Sequence, residues 1–179
     1  MTFTPDSQLD LLFPAERIPD ETRRQLHSDF HLRPLASTDY RRGHLSVLSA
    51  LSTVNDPGED AWVTQFNTLR AVPCTYYTIV IIDKASDRIV ATGTIFIERK
   101  FTRGLRSVAH IEDVAVDTSR QDKKLGLRIV QVLASITENS GCCMITGNCI
   151  DSNIPFYEKC GGEWRAHGMA CGRASLYGC

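Results

Sequence analysis

The chain has 179 residues, 42 % of them hydrophobic and 23 % charged, with a formal charge of −1. That length suits one domain with a sizeable core, and the near-neutral charge argues against nucleic acid or an anionic membrane surface as the main partner. No apolar stretch reaches the roughly 20 residues of a membrane helix, and no basic region followed by an apolar block opens the chain, so a soluble, cytoplasmic protein is expected.

Residues 1–28 mix Pro5, Pro14 and Pro19 with charges and hold one small apolar cluster at 9–13. They are expected to form an arm, loosely packed or partly disordered, ahead of a domain spanning 29–179. Residues 30–35 alternate and predict a first strand ending at Pro34. Ser37 is a good N-cap, and Asp39 suits the first turn of a helix marked by Tyr40, His44, Val47, Leu48 and Leu51. Residues 53–58 break that helix, and a second follows with Trp62, Phe66 and Leu69 on its apolar face, closing before Pro73. Residues 76–82 are β-prone, 84–87 read as a turn, and 88–98 return as the other arm of a hairpin. The connection at 99–107 is basic, carrying Arg99, Lys100, Arg103 and Arg106 around Gly104. Its plain reading is a solvated loop.

Residues 110–126, HIEDVAVDTSRQDKKLG, organise what remains. The Ile- and Val-rich stretch 110–116 reads as a buried strand, 117–124 as a polar loop, and Leu125, Ile129, Val132, Leu133 and Ile136 as one face of a helix. A strand, a tight loop and a helix in that order aim main-chain N–H groups and a positive helix end at one point, an arrangement that binds anions. Glu112 and Asp113 stand side by side in the strand, so strict alternation points them to opposite faces. Burying carboxylates in an apolar run is costly, which marks them as candidate functional groups. The helix is expected to end near Gly141, a strand to follow at 142–149, and Ser152 or Asn153 to cap a short helix with Pro155 in its first turn and Phe156 and Tyr157 along it. Residues 163–177 leave room for one or two closing strands.

The seven cysteines, Cys74, Cys142, Cys143, Cys149, Cys160, Cys171 and Cys179, contain no C-x-x-C pair and have no clustered histidines beside them, so no metal site is expected. Most lie in apolar runs and are expected to be small, reduced core residues. The element order is that of a single mixed α/β domain. The absence of G-x-G-x-x-G argues against a dinucleotide fold.

Three blocks in order, 97–101 (IERKF), 110–116 (HIEDVAV) and 153–161 (NIPFYEKCG), resemble the GNAT superfamily of acyl-CoA N-acyltransferases and, more narrowly, the eukaryotic glucosamine 6-phosphate N-acetyltransferases. The likeness runs over about residues 30–171. It implies a central, mixed but mostly antiparallel, twisted sheet flanked by helices, and acetyl-CoA as co-substrate. The superfamily loop pattern Arg/Gln-x-x-Gly-x-Gly/Ala falls on Gln121, Asp122, Lys123, Lys124, Leu125 and Gly126, with Lys124 where the pattern has glycine. Glycine serves there because the backbone must approach phosphate and take up positive φ.

The resemblance implies that Val114, Ala115 and Val116 run beside the pantetheine arm. Main-chain N–H groups from Asp122 to Leu127 would hold the pyrophosphate, and Asn153, Tyr157 and Lys159 would meet the cofactor. It gives the hydroxyl of Tyr157 the departing sulfur and places Glu112 and Asp113 at the amine and hydroxyls of the sugar, Glu112 being favoured for proton removal. Where the family has an activating aspartate this chain has Asn148, which orients an amine without accepting its proton. Ser52, Lys100, Phe101, Thr102, Arg103 and Arg173 are implied around the sugar phosphate. A homodimer with shared sites is implied too. Read without the family blocks, Tyr157 is an ordinary inward-facing aromatic and Asn153 an N-cap. Cys143 and Met144 replace a Tyr-Lys pair of the relatives, which leaves open a GNAT enzyme for a different amine. Lys124 and Asn148 leave open a catalytically silent acetyl-CoA-binding domain.

Overall fold

Strands form where β-branched residues run together, and they line up side by side in the order the chain makes them. A computed structural model describes residues 3–162, with every side chain among them except those of Arg103 and Asp122. The chain divides into two compact units, Met1–Gly147 and Asn148–Cys179. In the first, β1 (Phe30–Pro34), β2 (Tyr76–Asp83), β3 (Arg88–Arg99), β4 (Ser107–Val116) and β5 (Cys142–Gly147) make one sheet in the order β1-β2-β3-β4-β5. Its helices are α1 (Asp20–Arg24), α2 (His44–Leu48), α3 (Glu59–Arg70) and α4 (Leu125–Asn139). Neighbours from β1 to β4 are antiparallel, whereas β5 joins β4 in parallel because α4 carries the chain back along the sheet. The second unit holds a 3-10 turn, Asp151–Asn153, running into α5 (Ile154–Lys159). The strands expected at 163–177 lie outside the described residues.

Both faces of the sheet are covered, which is why β2 reads as an unbroken apolar run: Ile79, Val80, Ile81 and Ile82 are all fully buried. On β3 the two faces can be told apart by alternation. Thr92 reaches His44 of α2 across 3.3 Å. A Cβ on Gly93 would lie 2.4 Å from Ile129 Cγ2 and 3.2 Å from Leu133 Cδ1, both on α4. The helix therefore sits against β3 at a distance that no larger residue at 93 permits. The buried stripe of α4, which includes Leu125, Ile129, Val132, Leu133 and Ile136, is the predicted apolar face.

Three expectations are corrected. Residues 3–28 are not a loose arm: Leu12, Phe13 and Ile18 are buried, Leu11 bridges Ala36, and the Leu12 N–H donates to Leu35 O at 2.7 Å. Pro5, Pro14 and Pro19 each stand directly before a short helical turn, a place where a missing N–H is tolerated. The first helix does not begin after Ser37. Asp39 instead forms a two-pronged ion pair with Arg33, at 2.7 Å on each side, and accepts the Ala36 N–H at 2.8 Å, all of it buried. Residues 37–43 are turns, and the helix waits until His44, after Gly43 at φ 86°. The cysteines among the described residues are not core residues either. Cys74, Cys143 and Cys149 are exposed and Cys142 and Cys160 half-buried; Cys142 and Cys143 lie on β5, the last strand of the sheet.

Gly93→Ala will push α4 off the sheet and lower stability by about 1–3 kcal/mol, the usual cost of overpacking. Urea denaturation of the two proteins side by side measures it.

Candidate active site

Pairing between β4 and β5 runs from Ser107↔Cys142 to Ile111↔Gly147, while β4 itself continues to Val116. Beyond Ile111, among the described strands of this unit, β4 is paired on its β3 side alone. Asp117 N–H donates to Val90 O at 2.9 Å. Alternation along an antiparallel strand then turns the N–H groups of Val116 and Val114 away from β3, to the open side. The side chain of Ala115 is buried, and those of Val114 and Val116 are half-buried.

The strand is irregular where the carboxylates sit. Thr92 pairs with Ala115 but Thr94 pairs with Glu112, so Gly93 alone faces both Asp113 and Val114. This is a β-bulge, and it puts Asp113 at φ 55°. The bulge breaks the two-residue period, so the expectation that Glu112 and Asp113 point to opposite faces is corrected. Both line one cavity of about 390 Å³ between the sheet and the α2 and α3 helices. Glu112 and Asp113 are both exposed at the cavity's edge, and partial desolvation by its surroundings pushes the Asp113 carboxyl pKa up.

His44, read from sequence simply as a helix-face residue, lines the same cavity. Its Nδ1 accepts from Trp62 Nε1 at 3.3 Å, and its Nε2 meets Thr92 Oγ1 at 3.3 Å, while that hydroxyl donates to Ile79 O at 3.1 Å. The pattern requires a neutral ring protonated on Nε2. Burial agrees, driving the pKa from 6.5 down to about 4 against the opposing charge of Asp39.

Lys100 pairs with Glu98, whose other carboxylate oxygen meets His110 Nε2 at 3.0 Å. Those bonds hold the Glu98 carboxyl below its ordinary range. His110 in turn stacks on Phe96, with ring centres 4.4 Å apart and planes 2° from parallel. Further along the basic connection Phe101 is 97 % accessible and Thr102 is exposed, and a 3-10 turn, Arg103–Leu105, follows. Ser52 is exposed in the turns after α2. Neither Ser52 nor Lys100 lines the cavity.

After β4, Asp117 caps a 3-10 turn, Thr118–Lys123, by accepting the Ser119 N–H at 2.8 Å. Gln121, Asp122 and Lys123 belong to that turn. Lys124 then takes φ 57°, ψ 24°, the left-handed conformation, and α4 starts at Leu125. The pattern's glycine position thus keeps a glycine-like backbone while bearing a lysine. Leu125 is itself buried, so its main chain, and that of Gly126 and Leu127, is what the helix start presents. No acidic residue stands in the first turn of α4 to neutralise its positive end. These features fit a pyrophosphate group: free first-turn N–H groups, a helix end and adjacent lysines.

In the second unit Asn148 and Asn153 are exposed, with Asn153 directly before α5. Tyr157 lies mid-helix, half-buried, edge-on to Phe156 at 5.0 Å, and Lys159 ends the helix. Arg173 lies outside the described residues. Among those residues no group of three or more His, Cys, Asp or Glu could hold a metal, and no helix is long and apolar enough to cross a membrane.

An open strand edge followed at once by a left-handed turn and a bare helix end is the arrangement of the acyl-CoA acyltransferases. The profile of the Acetyltransferase (GNAT) family matches residues 36–162, and the chain belongs to that family. It is 36 % identical over 128 residues, 72 % of this chain and 81 % of the relative, to glucosamine 6-phosphate N-acetyltransferase 1 of Dictyostelium discoideum. The Candida albicans glucosamine 6-phosphate N-acetyltransferase is 34 % identical over 82 % of this chain and 97 % of its own length. Among solved structures, glucosamine-6-phosphate N-acetyltransferase from Arabidopsis thaliana superposes with a TM-score of 0.78 at 31 % identity, covering 80 % of this chain and 98 % of that one.

Two consequences are measurable. Lys124→Gly will relieve the left-handed strain and stabilise the protein by about 1 kcal/mol, a rise in Tm of roughly 2–4 °C. In acid, unfolded His44 takes up a proton below pH 6.5 that the folded ring refuses until about 4. Stability therefore falls as pH drops through that window, by on the order of 3 kcal/mol, and is unaffected by this group above it. Urea midpoints from pH 7.5 to 4 will show a shallower acid loss in His44→Phe.

Proposed function

We propose that this chain transfers the acetyl group of acetyl-CoA to the amine of D-glucosamine 6-phosphate, giving N-acetyl-D-glucosamine 6-phosphate and CoA, a step toward UDP-N-acetylglucosamine. The observation that carries the reading is the placement of the open β4 edge between a carboxylate pair and the bare start of α4. Relatives bearing that enzyme's name share the sequence over most of its length.

Acetyl-CoA supplies an activated acyl group as a thioester. The first-turn N–H groups of α4 and the neighbouring Gln121–Lys124 stretch bind its pyrophosphate, and Val114 and Val116 offer main-chain partners to its extended arm. Glu112 takes a proton from the substrate ammonium, directly or through water, because only the free amine has a lone pair to attack with. Asp113 and Asn148 orient the amine and the neighbouring hydroxyls. Asn148 replaces a carboxylate of the family, so proton removal rests on the Glu112 and Asp113 pair. Tyr157 donates its hydroxyl proton to the departing sulfur, with Asn153 and Lys159 beside the cofactor chain, roles that its motif assigns. Lys100, Arg103, Ser52 and Arg173 neutralise the sugar phosphate, with Phe101 and Thr102 closing over it. Lys100 must exchange Glu98 for the phosphate as the sugar binds. The working form is a cytoplasmic homodimer in which the partner completes each site.

Thiol release from acetyl-CoA tests the reading: glucosamine 6-phosphate is expected to be turned over at least about tenfold better than glucosamine, since the phosphate meets several cations. Tyr157→Phe is expected to lower kcat roughly 10–100-fold with acetyl-CoA affinity unchanged. Equal turnover of the two sugars, or an unaltered Tyr157→Phe, would sink it.

A further inference from the structure

Arg120 comes just before Lys123 and Lys124 and reads as one more cation for a phosphate. Its guanidinium is turned elsewhere. Nη2 donates to Asp83 Oδ2 at 3.0 Å, and Asp83 is the last residue of β2, with a side chain only 10 % accessible. That carboxylate is itself held in place: Oδ1 accepts the Ala85 N–H at 3.1 Å, and Oδ2 accepts the Ser86 hydroxyl at 3.2 Å. Arg120 is thereby anchored to the turn between β2 and β3. The stretch it anchors needs outside support. Thr118–Lys123 is a 3-10 run of six residues, longer than the three or four that such hydrogen bonding usually sustains. At its end Lys124 holds φ 57°, a backbone that disfavours a residue with a Cβ. Ties to the sheet and core offset this. Before the run the Asp117 N–H donates to Val90 O at 2.9 Å, and after it Leu125 is buried. Between them the Arg120 and Asp83 pair fixes the middle of the run.

We propose that Arg120 is a positioning residue for acetyl-CoA: clamped to Asp83, it holds the Gln121–Lys124 backbone in the shape that receives the pyrophosphate, and it does not itself touch phosphate. The proposal rests on the reading of that stretch as the pyrophosphate cradle. Main-chain N–H groups bind an anion well only if they already converge, because ordering them at the moment of binding subtracts from affinity. The guanidinium is also poorly placed to change partners. Moving it to a phosphate would leave the Asp83 carboxylate without its cation at a largely buried position, which is unfavourable. Lys100 differs in this respect, since Glu98 is 39 % accessible and keeps His110 when the lysine leaves.

The test is calorimetric titration of the full chain with coenzyme A, comparing Arg120→Ala, Asp83→Asn and the double variant. Asp83→Asn is chosen because its Oδ1 can go on accepting the Ala85 N–H. Each single variant is expected to weaken coenzyme A by about fivefold, and the double variant by no more than the weaker single, because both remove one clamp. In thiol-release assays the KM for acetyl-CoA is expected to rise by the same factor with kcat within about twofold of the parent. S-acetylpantetheine, a thioester without pyrophosphate, is expected to serve parent and variants equally, which a general loss of stability would not allow. Were Arg120 a direct phosphate ligand, Asp83→Asn would free it and tighten coenzyme A while Arg120→Ala weakened it. Those opposite signs overturn the proposal and leave acetyl transfer standing. Equal losses with both thioesters, or unaltered affinity in both single variants, do the same. Should Arg120→Ala fail to fold, the sign of the Asp83→Asn effect decides between the two roles. A parent protein that binds no coenzyme A removes this proposal and the preceding one together.

Discussion

At Gly93 a single residue of β3 answers two of β4, and the remainder of the site is arranged around that mismatch. An extra residue bends a strand and ends its regular alternation. Here it turns Asp113 into the left-handed region and delivers two adjacent carboxylates to one cavity. Past the bulge, β4 runs on to Val116 without β5 beside it. The same glycine lets Ile129 and Leu133 of α4 come within a distance that a methyl group would forbid. One missing side chain thereby governs both the shape of the strand and the seat of the helix whose first turn follows it.

Around this edge the first unit tolerates conformations and charges that cost stability. Lys124 and Asp113 hold left-handed backbones, and His44 is kept neutral inside the protein. Such features persist only where the surroundings over-determine them. The surroundings here include the Arg33 and Asp39 ion pair, in which the side chains are 1 % and 0 % accessible. Arg42 extends it, bonding Asp39 at 3.3 Å and Asp87 at 3.0 Å. Asp87 in turn accepts from the Thr4 hydroxyl at 2.8 Å, so Thr4 is tied into the same network.

Much of the architecture was legible in residue order alone. The run at 76–82 and the return at 88–98 became β2 and β3, and the spacing of Leu125, Ile129, Leu133 and Ile136 became the buried face of α4. What failed did so for physical reasons. Asp39 looks like a first-turn carboxylate until Arg33 is known to lie beside it, and no periodicity announces an ion pair. Strand parity misplaces Asp113 because a bulge adds a residue on one strand in answer to a gap on its neighbour. The cavity draws on residues from Leu35 to Asp113, spread over several elements, and no local pattern could have gathered them. His44 shows the difficulty in one residue: its helical spacing is correct, yet its role follows from Trp62 and Thr92, far away in sequence.

The order of the strands bears on how the first unit assembles. From β1 to β4 each strand lies against the one made just before it, so the sheet can grow as the polypeptide lengthens, without waiting for distant partners. The parallel join of β5 is the exception, since it requires α4 to have been laid down beforehand. Until then the growing edge is β4, the strand that carries the carboxylates and the exposed amides. A chain stalled at that point would offer a long unpaired edge to its neighbours, and aggregation would begin there.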